Sequence, residues 1–202
     1  MSEKRSFIEE ARRTQIVAAA IETLAEIGYV GASLAQIAAR AGISTSLIPY
    51  HFKDKEALMT QTLNDVAEAW SRYVEERLEA GTTSGQRLRI YLESSLAYIG
   101  TRPKHFMAMM EIVFHVRNAN GTLLYLADAE DPRIQRLENL LTEGQAQGEF
   151  RPFDVHHIAI AIIGTIDQFM GQMGSPRTDL EVYTAEVVRL FDLATRLAED
   201  GT

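Results

Sequence analysis

The chain has 202 residues, 46% hydrophobic and 24% charged, with a net charge of -8 and no cysteine. That composition suits a folded protein of one large or two small domains and excludes disulfides, thiol catalysis and cysteine-containing metal sites. No apolar run approaches the ~20 residues of a membrane span and no basic-then-apolar leader precedes residue 30, so a cytoplasmic protein with no membrane partner is expected.

Apolar residues recur at helical spacing throughout, without sustained strand-like alternation, so the expected class is all-α with about nine helices. From about Phe7 to Ile27 the stripe is Ile16, Val17, Ala20, Leu24 and Ile27, and Gly28 stands just past the helix end. Ser33 and Gln36 form a capping box for a short second helix whose stripe is Leu34, Ile37 and Ala38. Gly42 supplies a turn that needs positive φ. Ser44 caps a third helix running to about Phe52, and Asp54 caps a long fourth carrying Leu58, Leu63, Val66, Trp70, Tyr73 and Val74.

After the loop at 81–85, a fifth helix puts Leu88, Tyr91, Leu92, Ser95, Leu96 and Ile99 on one face. Pro103 opens a sixth helix to about Arg117, and Asp131-Pro132 opens a seventh with Ile134, Leu137, Leu140 and Leu141. The last two helices, about 154–173 and 178–198, carry broad apolar faces. Gly164 and Gly171, on the flank of the first, would let a partner helix approach closely.

Charge is unevenly spread. Residues 1–58 hold seven Lys/Arg and seven Asp/Glu, so the whole excess of negative charge lies beyond them. A nucleic-acid reading therefore rests on motif and not on bulk charge. Helices two and three around Gly42 have the spacing of a helix-turn-helix, whose second helix enters the DNA major groove.

With those helices in place, residues 10–58 resemble the DNA-binding domain of the TetR family of bacterial repressors. The matching residues are Ala19-Ala20, Gly28-Tyr29, Ile37-Ala38, Ala41-Gly42-Ile43-Ser44 and Tyr50-His51-Phe52, then Lys53, Lys55-Glu56 and Leu58. The resemblance implies a three-helix helix-turn-helix head over residues 1–54 and a helical ligand-binding and dimerisation domain over 55–202. The implied partners are double-stranded operator DNA, a second copy joined through the last two helices, and a small-molecule effector of unknown identity. Residues Gly144–Gln168 loosely resemble the larger domain of the family's choline-regulator (BetI-like) branch.

Two positions depart from the family pattern: Pro49 replaces an aromatic residue, often Tyr, and Ser46 stands where Gly is common. Proline cannot donate a bond to about Thr45 and crowds the preceding turn, so a locally widened or kinked recognition helix is expected, with no phosphate contact from position 49.

The candidate DNA-contacting residues are Ser33, Ser44, Thr45, Ser46, Tyr50, His51 and Lys55. Thr45 and Ser46 stand at the helix start, where base edges and phosphates are read, although both could serve only as caps. Tyr50 and His51 match family positions that touch the DNA backbone; packing on the elbow before the fourth helix is the alternative for Tyr50. Lys55 is placed for a phosphate beside a helix N-terminus, or else is solvated. Ser33 could cap helix two and touch a phosphate together, whereas Leu47, Ile48 and Phe52 read as core.

For the effector the candidates are Trp70, Tyr73, Tyr98, Phe106, Met110, Phe114, Asp167 and Met170. Aromatic and thioether surfaces line adaptable pockets but also fill ordinary bundle cores. Asp167 lies near an apolar face, where a carboxylate calls for a polar or cationic ligand, a structural Arg or Tyr, or solvent at the helix edge. Glu111 with His115, and His156-His157, fall short of a metal-ligand set. With no GxSxG, P-loop or GxGxxG either, no metal, cofactor or enzymatic activity is expected.

Overall fold

The computed structural model describes residues 2–125, 131–172, 175 and 177–197, with side chains for all of these except 2–7 and 170. Among the described residues the chain is all-α: α1 (Ser2–Gly31), α2 (Leu34–Arg40), α3 (Ile48–His51), α4 (Lys55–Leu78), α5 (Ser84–Thr101), α6 (Pro103–His115), α7 (Pro132–Ala146), α8 (Val155–Met170) and α9 (Leu180–Thr195). Packing groups residues 1–69 with 102–129 in one compact unit, and residues 70–101 with 130–202 in another.

In the first unit Ile16, Val17, Ala20 and Leu24 of α1 meet Ile37 and Ala38 of α2, then Ile48, Phe52, Leu58 and Met59. From α6, Ala108 and Ile112 complete this core. Gly28 interrupts α1 at φ 70, as its place after the apolar stripe suggests. The capping box at α2 forms: Gln36 N–H donates to the Ser33 hydroxyl at 3.2 Å, and Ser33 N–H donates to Gln36 Oε1 at 2.9 Å. Gly42 turns the chain at φ 66, and Ile43 N–H then closes back on the Ala38 carbonyl at 3.0 Å. Asp54 caps α4 through Ala57 N–H at 2.8 Å.

The recognition segment is not one α-helix. Thr45–Leu47 forms a 3-10 turn, and only Ile48–His51 is α-helical. Pro49 has no N–H to give Thr45, so the bonds that wind this turn are Leu47 N–H to Ser44 O at 3.0 Å and Ile48 N–H to Thr45 O. The distortion thus tightens the start of the helix, where a widened or kinked one was expected. Ser44 occupies the N-cap position without capping; its hydroxyl lies 2.8 Å from that of Ser46. Leu47, read as core, is 39% exposed.

Arg13 of α1 holds the far end of this short segment. Its guanidinium donates to the His51 carbonyl at 2.6 Å and to Gln61 Oε1 at 3.1 Å, and lies 4.5 Å from the Phe52 ring centre. Gln15, two residues on, donates to the Ala41 carbonyl at 2.6 Å.

In the second unit α5 packs against α7, α8 and α9, and α7 against α8. Its core joins Leu88, Leu92, Leu96 and Ile99 to Leu137 and Leu141, Ile162 and Ile166, and Val187 and Phe191. Asp131, Asp154 and Asp179 cap α7, α8 and α9 through side-chain bonds to backbone N–H groups. Gly144 of α7 is buried where a Cβ would overlap the Phe150 ring and press on Ser84.

Two substitutions check this packing by denaturant unfolding. Arg13→Ala leaves a half-buried carbonyl without its charged donor and should cost about 1–2 kcal/mol. Gly144→Ala gains about 1 kcal/mol of helix propensity, but overpacking against Phe150 should outweigh it, for a net loss of about 1–2 kcal/mol.

Candidate nucleic-acid interface and effector region

Ser44, Thr45, Ser46 and Tyr50 are all exposed, so the 3-10 turn and the first α-helical turn present a rim of hydroxyls to solvent. Tyr50 is 66% exposed, with its ring edge-on to His51 and its hydroxyl 3.4 Å from Glu9. The phenol is therefore not packed into the elbow before α4. His51 is half-buried, and its carbonyl is the one that Arg13 holds. Ser33, exposed at the start of α2, is engaged in the capping box.

Lys55 is neither solvated nor free-standing. Its ammonium donates to the Tyr29 carbonyl at 2.7 Å and sits 4.1 Å from the centre of the Tyr29 ring. Burial lowers its pKa from the usual lysine value. An ammonium has three donors, and the Tyr29 carbonyl takes one. Tyr29 is itself fixed by α6: its N–H donates to Glu111 at 2.7 Å, and its ring stacks on His115 at 5.6 Å. Glu111 and Arg13 are positioning residues; sequence pattern weighed Glu111 only as a metal ligand and did not single out Arg13, because their partners lie 82 and 38 residues away.

The effector candidates divide between the units. Trp70 stands edge-on to Tyr91 at 5.9 Å, and Tyr73 edge-on to the buried Tyr98 at 5.4 Å, all in the second unit. Phe106, Met110 and Phe114 lie on α6 in the first unit, buried, half-buried and 52% exposed in turn. The side chain of Met170 lies outside the described residues.

Asp167 has a structural partner. Arg133 donates to its two oxygens at 2.7 and 3.0 Å, and turns its remaining edge to Asp131 at 2.7 to 3.1 Å. Burial opposes the guanidinium charge, yet the hydrogen bonds and charges of Asp167 and Asp131 outweigh it and raise the pKa of Arg133. Burial likewise pushes the Tyr91 phenol up. Arg133 follows the Asp131-Pro132 cap directly in sequence, but nothing local marks Asp167, 34 residues on, as its counterpart.

A groove of about 800 Å³ runs between α4 and α7, lined by Glu75, Glu79, Arg87, Arg136 and Glu143 among others. It is crossed by the Arg136–Glu75 and Arg87–Glu143 ion pairs, so it lacks the apolar enclosure of a typical small-molecule site. Among the described residues no group of three or more His, Asp or Glu is placed to hold a metal ion. No helix among them is long and apolar enough to cross a membrane.

Residues 16–62, from the core stripe of α1 into α4, match the family described as bacterial regulatory proteins, tetR family. The HTH-type transcriptional regulator BetI of Escherichia coli O45:K1 (strain S88 / ExPEC) is 29% identical over 136 residues, covering 67% of this chain and 69% of the relative. A TetR-family transcriptional regulator from Rhodococcus sp. shares the fold with a TM-score of 0.79, at 22% identity over 91% of this chain and 98% of the other. FadR from Bacillus subtilis, in complex with stearoyl-CoA, does so with a TM-score of 0.69, at 23% identity over 88% of this chain and 96% of the other. The matched span contains every element of the helix-turn-helix described above, and the fold likeness extends over nearly the whole chain. Residues 16–62 are a helix-turn-helix, DNA-binding domain of the tetR family of bacterial regulatory proteins, and the chain shares the all-α fold of TetR-like regulators.

Proposed function

We propose that the protein is a ligand-responsive repressor in the cytoplasm, a homodimer that binds a palindromic operator and leaves it when a small molecule occupies the second unit. The exposed hydroxyl rim of Ser44, Thr45, Ser46 and Tyr50 carries the DNA half of this reading. Thr45 and Ser46 read base edges, while Ser33, Ser44, Tyr50, His51 and Lys55 set register on phosphates. Because residues 1–58 are electrically neutral, affinity leans on a few placed contacts and on having two heads. Those heads meet half-sites about 34–36 Å apart.

Support for the homodimer comes from α8 and α9, which expose Ile160 and Gly164, and Val182, Leu190 and Leu193. Gly164 would meet nothing within 4 Å with a Cβ added, as suits a seam left open for a second copy. Two helices from each copy form a four-helix interface. The effector enters the aromatic region around Trp70, Tyr73 and Tyr98; the stearoyl-CoA complex of Bacillus subtilis FadR supports ligand binding within this fold. A second reading, a DNA-binding interaction module without an inducer, is favoured by Asp167, whose carboxylate is already satisfied by Arg133.

An electrophoretic shift with the DNA upstream of the protein's own gene tests the first half. Thr45→Ala/Ser46→Ala should weaken that shift roughly 10–100-fold while the dimer persists on light scattering; an undiminished shift would sink the base-reading assignment. Gly164→Leu should give a monomer with steeply reduced operator affinity, and a stable dimer of that variant would refute the α8–α9 interface. Any effector that releases DNA must itself bind more weakly, by the same factor, to the operator complex.

A further inference from the structure

Two polar side chains in the second unit are buried without use. The Tyr91 hydroxyl and the Ser95 hydroxyl, on residues with 0% exposure, have no hydrogen-bond partner among the described residues. A buried hydroxyl left unpaired forfeits its hydration with nothing in return, so such groups are rare and call for an explanation. One turn apart on α5, the two stand on the same helical face. Neighbouring Ser94 behaves differently, because its hydroxyl folds back onto the Ile90 carbonyl.

The surroundings restrict what could meet these hydroxyls. Arg133, Asp131, Arg136 and Asp167 all act electrostatically on the Tyr91 phenol, and Trp70 stands edge-on to its ring. Arg133 spends its Nε and both terminal nitrogens on two carboxylates, so it offers little to an anion. Asp167 balances the guanidinium. Asp131, the second carboxylate, lies at the N-terminus of α7 and accepts the Arg133 N–H, where the helix dipole offsets its charge. Arg136 is paired with Glu75, so the cluster is near balance and has no unpaired charge to attract a cation or an anion. What remains on offer is two neutral hydroxyls beside aromatic and aliphatic walls.

We propose that Tyr91 and Ser95 form the polar end of the effector site, and that the effector is an uncharged, largely apolar molecule with a hydrogen-bonding head such as an alcohol or a carbonyl. This rests on the reading of the second unit as ligand-responsive and adds the class of ligand. The two hydroxyls bond the head, each giving or accepting a proton as the head requires. Trp70 and the α5 aliphatic side chains contact the apolar body.

Thermal unfolding with three probes that share one skeleton tests the assignment: cyclohexylmethanol, cyclohexanecarboxylate and cyclohexylmethylammonium. Without any probe, Tyr91→Phe and Ser95→Ala should each raise the midpoint by roughly 2–4 °C, because each removes an unpaired hydroxyl. Ser94→Ala should not raise it. With wild type, the alcohol should raise the midpoint and the carboxylate should not; that rise should shrink in Tyr91→Phe and Ser95→Ala and persist in Ser94→Ala. Lowered midpoints in both hydroxyl variants, no shift with any probe, or a larger shift with the carboxylate or ammonium probe would each overturn the proposal. Operator binding is read separately. Release of DNA by the carboxylate alone would keep the regulator and overturn the head-group class. A thermal shift with the alcohol that leaves the DNA complex intact would keep the site and count against ligand control.

Discussion

Everything the DNA-facing end can do follows from one missing amide proton. Pro49 cannot donate to Thr45, so the chain winds Thr45–Leu47 as a 3-10 turn and leaves only Ile48–His51 as α-helix. A segment that short has no stability of its own. It is held from outside, by burial of Ile48 and Phe52 and by the Arg13 guanidinium on the His51 carbonyl. The readable surface thereby moves to the beginning of the segment, where tighter winding brings the Ser44 and Ser46 hydroxyls together. Rigidity there derives from α1, not from the helix that would touch DNA.

A comparable economy governs the second unit. One guanidinium, half-enclosed between α7 and α8, satisfies two carboxylates with a nearly complete set of donors. Loss of the guanidinium would leave two carboxylates uncompensated in a poorly solvated place, a far larger penalty than the cluster's net contribution. The same closure shapes the chemistry nearby. A side chain already saturated by its neighbours is silent toward ligands, and recognition falls to the groups that the cluster leaves out.

Much of the fold was legible in the sequence because its signals are local. The capping box of Ser33 and Gln36, the Asp131-Pro132 pair, the break at Gly28 and the turn at Gly42 all depend on residues within a turn of each other, and all form. The tightened turn before Pro49 escaped, because the lost bond is predictable while the way the chain compensates depends on its packing. The site was legible by position more than by role. Tyr50 was placed correctly on the segment, but its exposure was decided by what α1 and α4 leave uncovered. Asp167 raised a question that only Arg133, brought in by packing, could answer. Lys55 had two candidate states in sequence, and the solvated one gives way because Tyr29 arrives from the end of α1 to receive its ammonium.

The chain crosses between its two units three times, and α6 is as much a part of the first core as α1 is. Ala108 and Ile112 pack where a chain cut after residue 54 would leave bare aliphatic surface, and Glu111 would no longer meet the Tyr29 amide. Head and body are thus interlaced in the covalent order of the polypeptide, and the head is not a portable cassette. Recombination that swaps only the first sixty residues must supply a compatible α6 as well. Descendants of such a protein would change specificity by point substitution on the exposed rim more readily than by exchange of whole modules.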